Sequence, residues 1–110
     1  MSREETIAEI TRRVVEYFHP ERVYLFGSAA RGDMGPDSDF DFCIVLPDDA
    51  PKELYKAKAY EALRGIGTAV DLVRFPSSNF DARGAHVRAS LPAAILREGK
   101  LLYDARPANA

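Results

Sequence analysis

One cysteine, no tryptophan, two histidines and no large excess of either charge mark a chain of 110 residues. With Cys43 alone, no internal disulfide can form, and its neighbours Phe42 and Ile44 point to a buried apolar role instead. No segment approaches the ~18 consecutive apolar residues that span a bilayer. The first eighteen residues carry charge on every turn, unlike a secretory signal, so the cytoplasm is the expected location. Fifteen Lys plus Arg against seventeen Asp plus Glu leave a formal charge of −2, which excludes a broad cationic field for extended nucleic acid. A small basic patch could still hold one nucleotide. His19 and His86 show no metal-ligand spacing and stay outside any candidate site.

What is present fits one small α+β domain. The length suffices for a single core, and 46% hydrophobic with 29% charged residues is ordinary for a folded domain. Residues 1–105 are assigned to it, and the tail 106–110 is expected to fray. Ser2 with Glu5 makes a capping box, and Ile7, Ile10, Val14 and Phe18 recur at helical spacing, so a helix is expected from Ser2 until His19-Pro20 ends it. Three strands are expected, in "RVYLFG", "DFDFCIVL" and "TAVDLVRF". A second helix is expected over Pro51–Arg64, with Tyr55, Ala59, Ala62 and Ile66 on its inner stripe. Ser90 and Pro92 start a last helix that ends at Gly99, followed by a short strand in "KLLYD". Ser77 to Ala89 carries no assignable pattern.

The chemistry gathers at the aspartates. On a strand, Asp39 and Asp41 point to one face, with Cα atoms roughly 6.6–6.8 Å apart, and Phe40 and Phe42 to the other. Two carboxylates about 5 Å apart repel by roughly 3 kcal/mol at an effective dielectric of 20. A magnesium ion offsets that repulsion economically, being a hard cation that takes one or two carboxylates and completes its shell with substrate phosphates. Asp71, on another strand, would make a third ligand if its strand lay beside that of Asp39 with its side chain on the same face. Asp33 and Asp37, among Gly, Pro and Ser, read as loop residues. Gly27 lets backbone approach a ligand, and Ser28 offers a hydroxyl and an amide at the start of a helical turn, a place for terminal phosphates. Arg31, one turn later, could reach the same phosphates or be a solvated surface cation.

Gly27-Ser28, ten intervening residues and Asp39-x-Asp41 resemble the signature of the nucleotidyltransferase superfamily that includes DNA polymerase β. "FGSAARGD", "SDFDFCIV" and the closing "REGKLLYD" are similar to its minimal nucleotidyltransferase (MNT) branch. That resemblance implies a mixed β-sheet flanked by helices. It implies two magnesium ions on Asp39 and Asp41, Asp71 as the third catalytic carboxylate, and the triphosphate, ATP by expectation, held at Gly27 and Ser28. It also implies transfer of a nucleoside monophosphate to a hydroxyl.

Single-domain MNT proteins resemble antitoxins paired with HEPN-domain toxins, which implies a toxin partner and AMP transfer to a toxin tyrosine. Two alternatives stay open: a small-molecule nucleotidyltransferase of the aminoglycoside type, and an antitoxin that neutralises by binding alone. Tyr55 and Tyr60, if exposed, would form a partner interface or homodimer, although core is their ordinary place.

Overall fold

The computed structural model describes residues 1–32 and 39–107. Helix α1 spans Arg3–Phe18. Its N-terminus is closed as the sequence predicts: the Glu5 amide donates to the Ser2 hydroxyl at 3.1 Å and the Ser2 amide to the Glu5 carboxylate at 2.9 Å. At its far end His19 adopts a left-handed conformation (φ 49°) just before Pro20. Ile10, Val14 and Phe18 are buried and Ile7 is half-buried, so the predicted stripe is the face that meets the sheet.

Strands β1 (Arg22–Phe26), β2 (Phe40–Leu46), β3 (Val70–Pro76) and β4 (Lys100–Asp104) form one mixed sheet in the order β3-β2-β1-β4. β1 runs antiparallel to β2 and β4, whereas β2 and β3 are parallel. Alternation sorts their side chains into two cores. Val23, Leu25, Phe40, Phe42, Ile44 and Leu72 pack with α1 on one face. Tyr24, Cys43 and Val45, joined by Val73 and Phe75, occupy the other beneath Phe80 and Ile95.

Those last two residues belong to α3 (Ser77–His86) and α4 (Leu91–Glu98). Helix α4 starts as predicted, the Ala93 amide donating to Ser90 Oγ at 3.2 Å. Helix α3 fills the stretch that sequence left unassigned. Only Phe80 is fully buried on it, so its apolar periodicity is faint.

The helix expected over Pro51–Arg64 is a correction: the chain makes two 3-10 turns, Lys52–Tyr55 and Ala57–Leu63. Lys56 between them is extended (φ −94°, ψ 163°), which breaks the α ladder. Arg74 of β3 donates to the carbonyls of Lys56 at 3.1 Å and Leu54 at 3.4 Å, drawing outward acceptors that an α-helix would use internally. Ala59 and Leu63 remain buried, so the segment still covers the core.

Candidate active site

Helix α2 (Gly27–Arg31) turns directly out of β1. Gly27 has φ +72°, and a Cβ there would overlap the Asp41 carboxylate. Glycine is required on both counts. The predicted Gly-Ser bend and the strand that carries Asp41 are therefore in contact, and a side chain at position 27 would push the Asp41 carboxylate aside. Ser28 lies within α2, and its carbonyl accepts from the Gly32 amide to close the turn.

Asp41 is the second residue of β2 and pairs with Phe26 of β1 on one side and Asp71 of β3 on the other. Because β2 and β3 are parallel and in register here, Asp41 and Asp71 stand on the same face at the same level. That face continues with Cys43 and Val45 on β2 and Val73 and Phe75 on β3, so the two carboxylates open the mouth of the core beneath α3 and α4. β3 begins at Val70, two residues later than the sequence suggests, which puts Asp71 at the strand's entrance rather than in its interior. Asp39 is exposed and precedes β2 by one residue, so it borders the strand rather than belonging to it. Asp33 and Asp37 lie outside the described residues.

The electrostatics follow from this crowding. Burial, then the charges of Asp71 and Asp39 and a hydrogen-bonding approach to the Asp71 carboxyl, push the Asp41 carboxyl above the usual carboxylate range. The Arg31 guanidinium acts in the opposite direction, which places that cation within electrostatic reach of the cluster. Among the described residues no three His, Cys, Asp or Glu side chains are gathered closely enough, as they stand, to hold a metal ion. The Asp41–Asp71 pair with Asp39 at its margin is nonetheless an all-oxygen donor set of three carboxylates, which suits a hard divalent cation. The glycine cradle keeps backbone within reach of whatever those oxygens bind.

A small cavity of about 190 Å3 adjoins this cluster, lined by Gly27 and Arg31 on one side and by Leu91 and Ile95 of α4 on the other. A larger groove of about 620 Å3 runs between α1 and β4, well away from the carboxylates, and has no part in their chemistry.

Residues 7–101 match the nucleotidyltransferase domain family, 95 of the 110 positions and all those just described. The chain belongs to that family. It is accordingly a nucleotidyltransferase, a class that works with nucleoside triphosphate and a divalent metal. Two solved structures share the fold: a toxin-antitoxin with AMP-PNP (TM-score 0.57) and a mutant of the toxin-antitoxin MntA-HpeT (TM-score 0.54). Each is 20% identical, and each alignment covers 96% of this chain and 76% of the other. A search of curated proteins gave no match. The expected polymerase β-like architecture, a mixed sheet flanked by helices, stands as found.

Two features of the site escape sequence reasoning. Tyr60 binds the outer edge of β3 beside Asp71: the Leu72 amide donates to its hydroxyl at 2.9 Å. Helix α4 supplies a wall to the Gly27 cavity through Leu91 and Ile95. Both are contacts between distant segments, and no local pattern signals them.

Proposed function

We infer that the protein transfers a nucleoside monophosphate, AMP from ATP, to a hydroxyl of a partner toxin and acts as its antitoxin. The observation that carries this reading is the side-by-side placement of Asp41 and Asp71 against the Gly27 bend. Asp39, Asp41 and Asp71 would hold two magnesium ions, and Gly27, Ser28 and Arg31 would hold the triphosphate. Magnesium bound there would lower the acceptor's pKa and neutralise the departing phosphates.

The residues of the chain do the positioning. Gly27 and Ser28 present backbone and hydroxyl donors to the phosphates, and Arg31 adds charge-assisted hydrogen bonds. Asp71, exposed at the mouth of the site, faces the acceptor and takes its proton. The acceptor oxygen then bonds to the α-phosphorus as the bond to the bridging oxygen breaks, and pyrophosphate leaves. The likeness to solved toxin-antitoxin complexes supports a toxin as the source of that hydroxyl. A HEPN-type toxin, modified on a tyrosine, is the partner we assign.

Incubation with the product of the adjoining gene, ATP and magnesium is expected to add one nucleotide's mass to that product. No gain with any of the four triphosphates would remove the reading. Asn at both Asp39 and Asp41 separates catalysis from covering: unchanged neutralisation by that variant would mean that binding alone suffices.

A further inference from the structure

We propose that the corner between α3 and α4 is a docking surface for an acidic segment of a partner protein in which carboxylates alternate with apolar side chains. The corner is built from two kinds of surface. A groove of about 430 Å3 has Gly84, Ala93 and Leu96 in its floor and His86, Arg88 and Arg97 on its rim. Leu96 of that floor (44%) and Val87 (49%), which sits between His86 and Arg88 in the chain, are exposed large apolar residues. Isolated exposed apolar residues are ordinary, whereas an exposed leucine that lines a groove rimmed by cations suits a contact surface.

The charge there is one-sided. Residues 82–97 contain three arginines and no Asp or Glu; of the flanking carboxylates, Asp81 is paired with Arg22 and Glu98 lines the cavity on the other face of α4. Elsewhere Arg12, Arg13, Arg22, Arg64 and Arg106 are matched to carboxylates, while Arg3 and Arg74 are engaged by backbone carbonyls. Among the described residues Arg83, Arg88 and Arg97 enter no ion pair; Arg83 lies over the Phe75 ring and Arg97 donates to the Arg88 carbonyl at 3.3 Å. An apolar floor with an unmatched cationic rim is complementary to carboxylates set among aliphatic groups. A nucleic acid fits less well, because no Phe, Tyr or Trp lies between the buried Phe80 and Tyr103 to stack a base.

The position is also apt. The other face of α4 lines the cavity that Gly27 and Arg31 share, so a partner seated in the groove is separated from the nucleotide site by that one helix. The inference rests on the proposed function for the existence of a protein partner, and its test needs neither nucleotide nor metal, so the two fail separately.

Fluorescence anisotropy of the full chain would be measured with three labelled probes: a helical Glu/Leu peptide, the same peptide with Lys for Glu, and a single-stranded RNA. The acidic peptide alone is expected to bind. Arg88→Glu with Arg97→Glu should weaken that binding about tenfold or more and admit the lysine peptide, with an unchanged far-UV circular dichroism spectrum because both side chains are exposed. The proposal is overturned if the acidic peptide fails to bind, if the doubly reversed variant holds it as well as wild type, or if RNA binds more tightly.

Discussion

Gly27 stands so close to Asp41 that a single added carbon would strike the carboxylate. The bend and the acidic strand are thus one unit, and Gly27→Ala strains both. The left-handed φ costs a non-glycine residue about 1–2 kcal/mol, and relief of the overlap must displace Asp41. We expect a lower melting temperature and a turnover reduced by about 100-fold, since a displacement near 1 Å at reacting groups has roughly that effect. Turnover equal to wild type would show that Asp41 needs no such contact.

The crowding of Asp41 has a thermodynamic sign. Its carboxyl is held above the ordinary range in the folded protein, so the native state binds the proton more tightly than the unfolded chain. Stability from this group is therefore complete below the unfolded value, near 3.8, and declines as pH rises through the raised native value. At neutral pH without divalent metal the ionised pair is a net cost. Asp41→Asn should raise the melting temperature by roughly 2–6 °C while abolishing nucleotidyl transfer, a trade common at active sites. Magnesium should raise the melting temperature of wild type and have less effect on the variant.

Much of this site is legible before folding, and the reason is local chemistry. Gly27-Ser28 and Asp39-x-Asp41 are read from adjacent residues, and the first and last helices from their caps at Ser2 and Ser90. Asp71 needs one long-range fact, the parallel pairing of β2 with β3, which sequence alone leaves conditional. Helix α3 is opaque because a single buried side chain, Phe80, anchors it. The region 51–64 misleads because its apolar spacing suits an α-helix, whereas the chain breaks at the extended Lys56, and Arg74 of β3, distant in sequence, takes the carbonyls of Leu54 and Lys56.

Arg22 anchors the covered face from the opposite end. Its side chain is 2% exposed, pairs with Glu21 and Asp81 at 2.9 Å each, and lies 5.3 Å from the centre of the Phe80 ring. Arg22→Ala should cost about 3 kcal/mol, because it removes packing volume and leaves two carboxylates without their cation. Urea denaturation would show this as a lower midpoint at unchanged slope.

Cys43 should be chemically silent. Burial pushes its thiol up to about 12, so almost no thiolate exists at pH 8. A thiol reagent is expected to label it only after denaturant is added, and rapid labelling of the native protein would contradict its place in the sheet.

Tyr60 offers the sharpest separation of turnover from nucleotide affinity. β3 is an edge strand, and the outward amide of Leu72 has the Tyr60 hydroxyl as its acceptor at 2.9 Å. Arg74 in turn lies over the Tyr60 ring, 5.5 Å from its centre, holding the ring along the edge. Tyr60→Phe preserves the ring and deletes the hydroxyl, which accepts from the Leu72 amide at 2.9 Å and donates to the Leu72 carbonyl at 3.5 Å. Because Leu72 is 4% exposed, its amide cannot readily recover a water, and the loss should cost about 1–3 kcal/mol. Asp71 is the next residue along the same strand, so a loosened edge should lower turnover. Nucleotide affinity, assigned to Gly27 and Ser28 on the far side of β2, should stay within about twofold of wild type because the Tyr60 hydroxyl meets the backbone of Leu72 and neither of those residues. An equal loss of affinity and turnover would mean that the edge of β3 also shapes the nucleotide pocket.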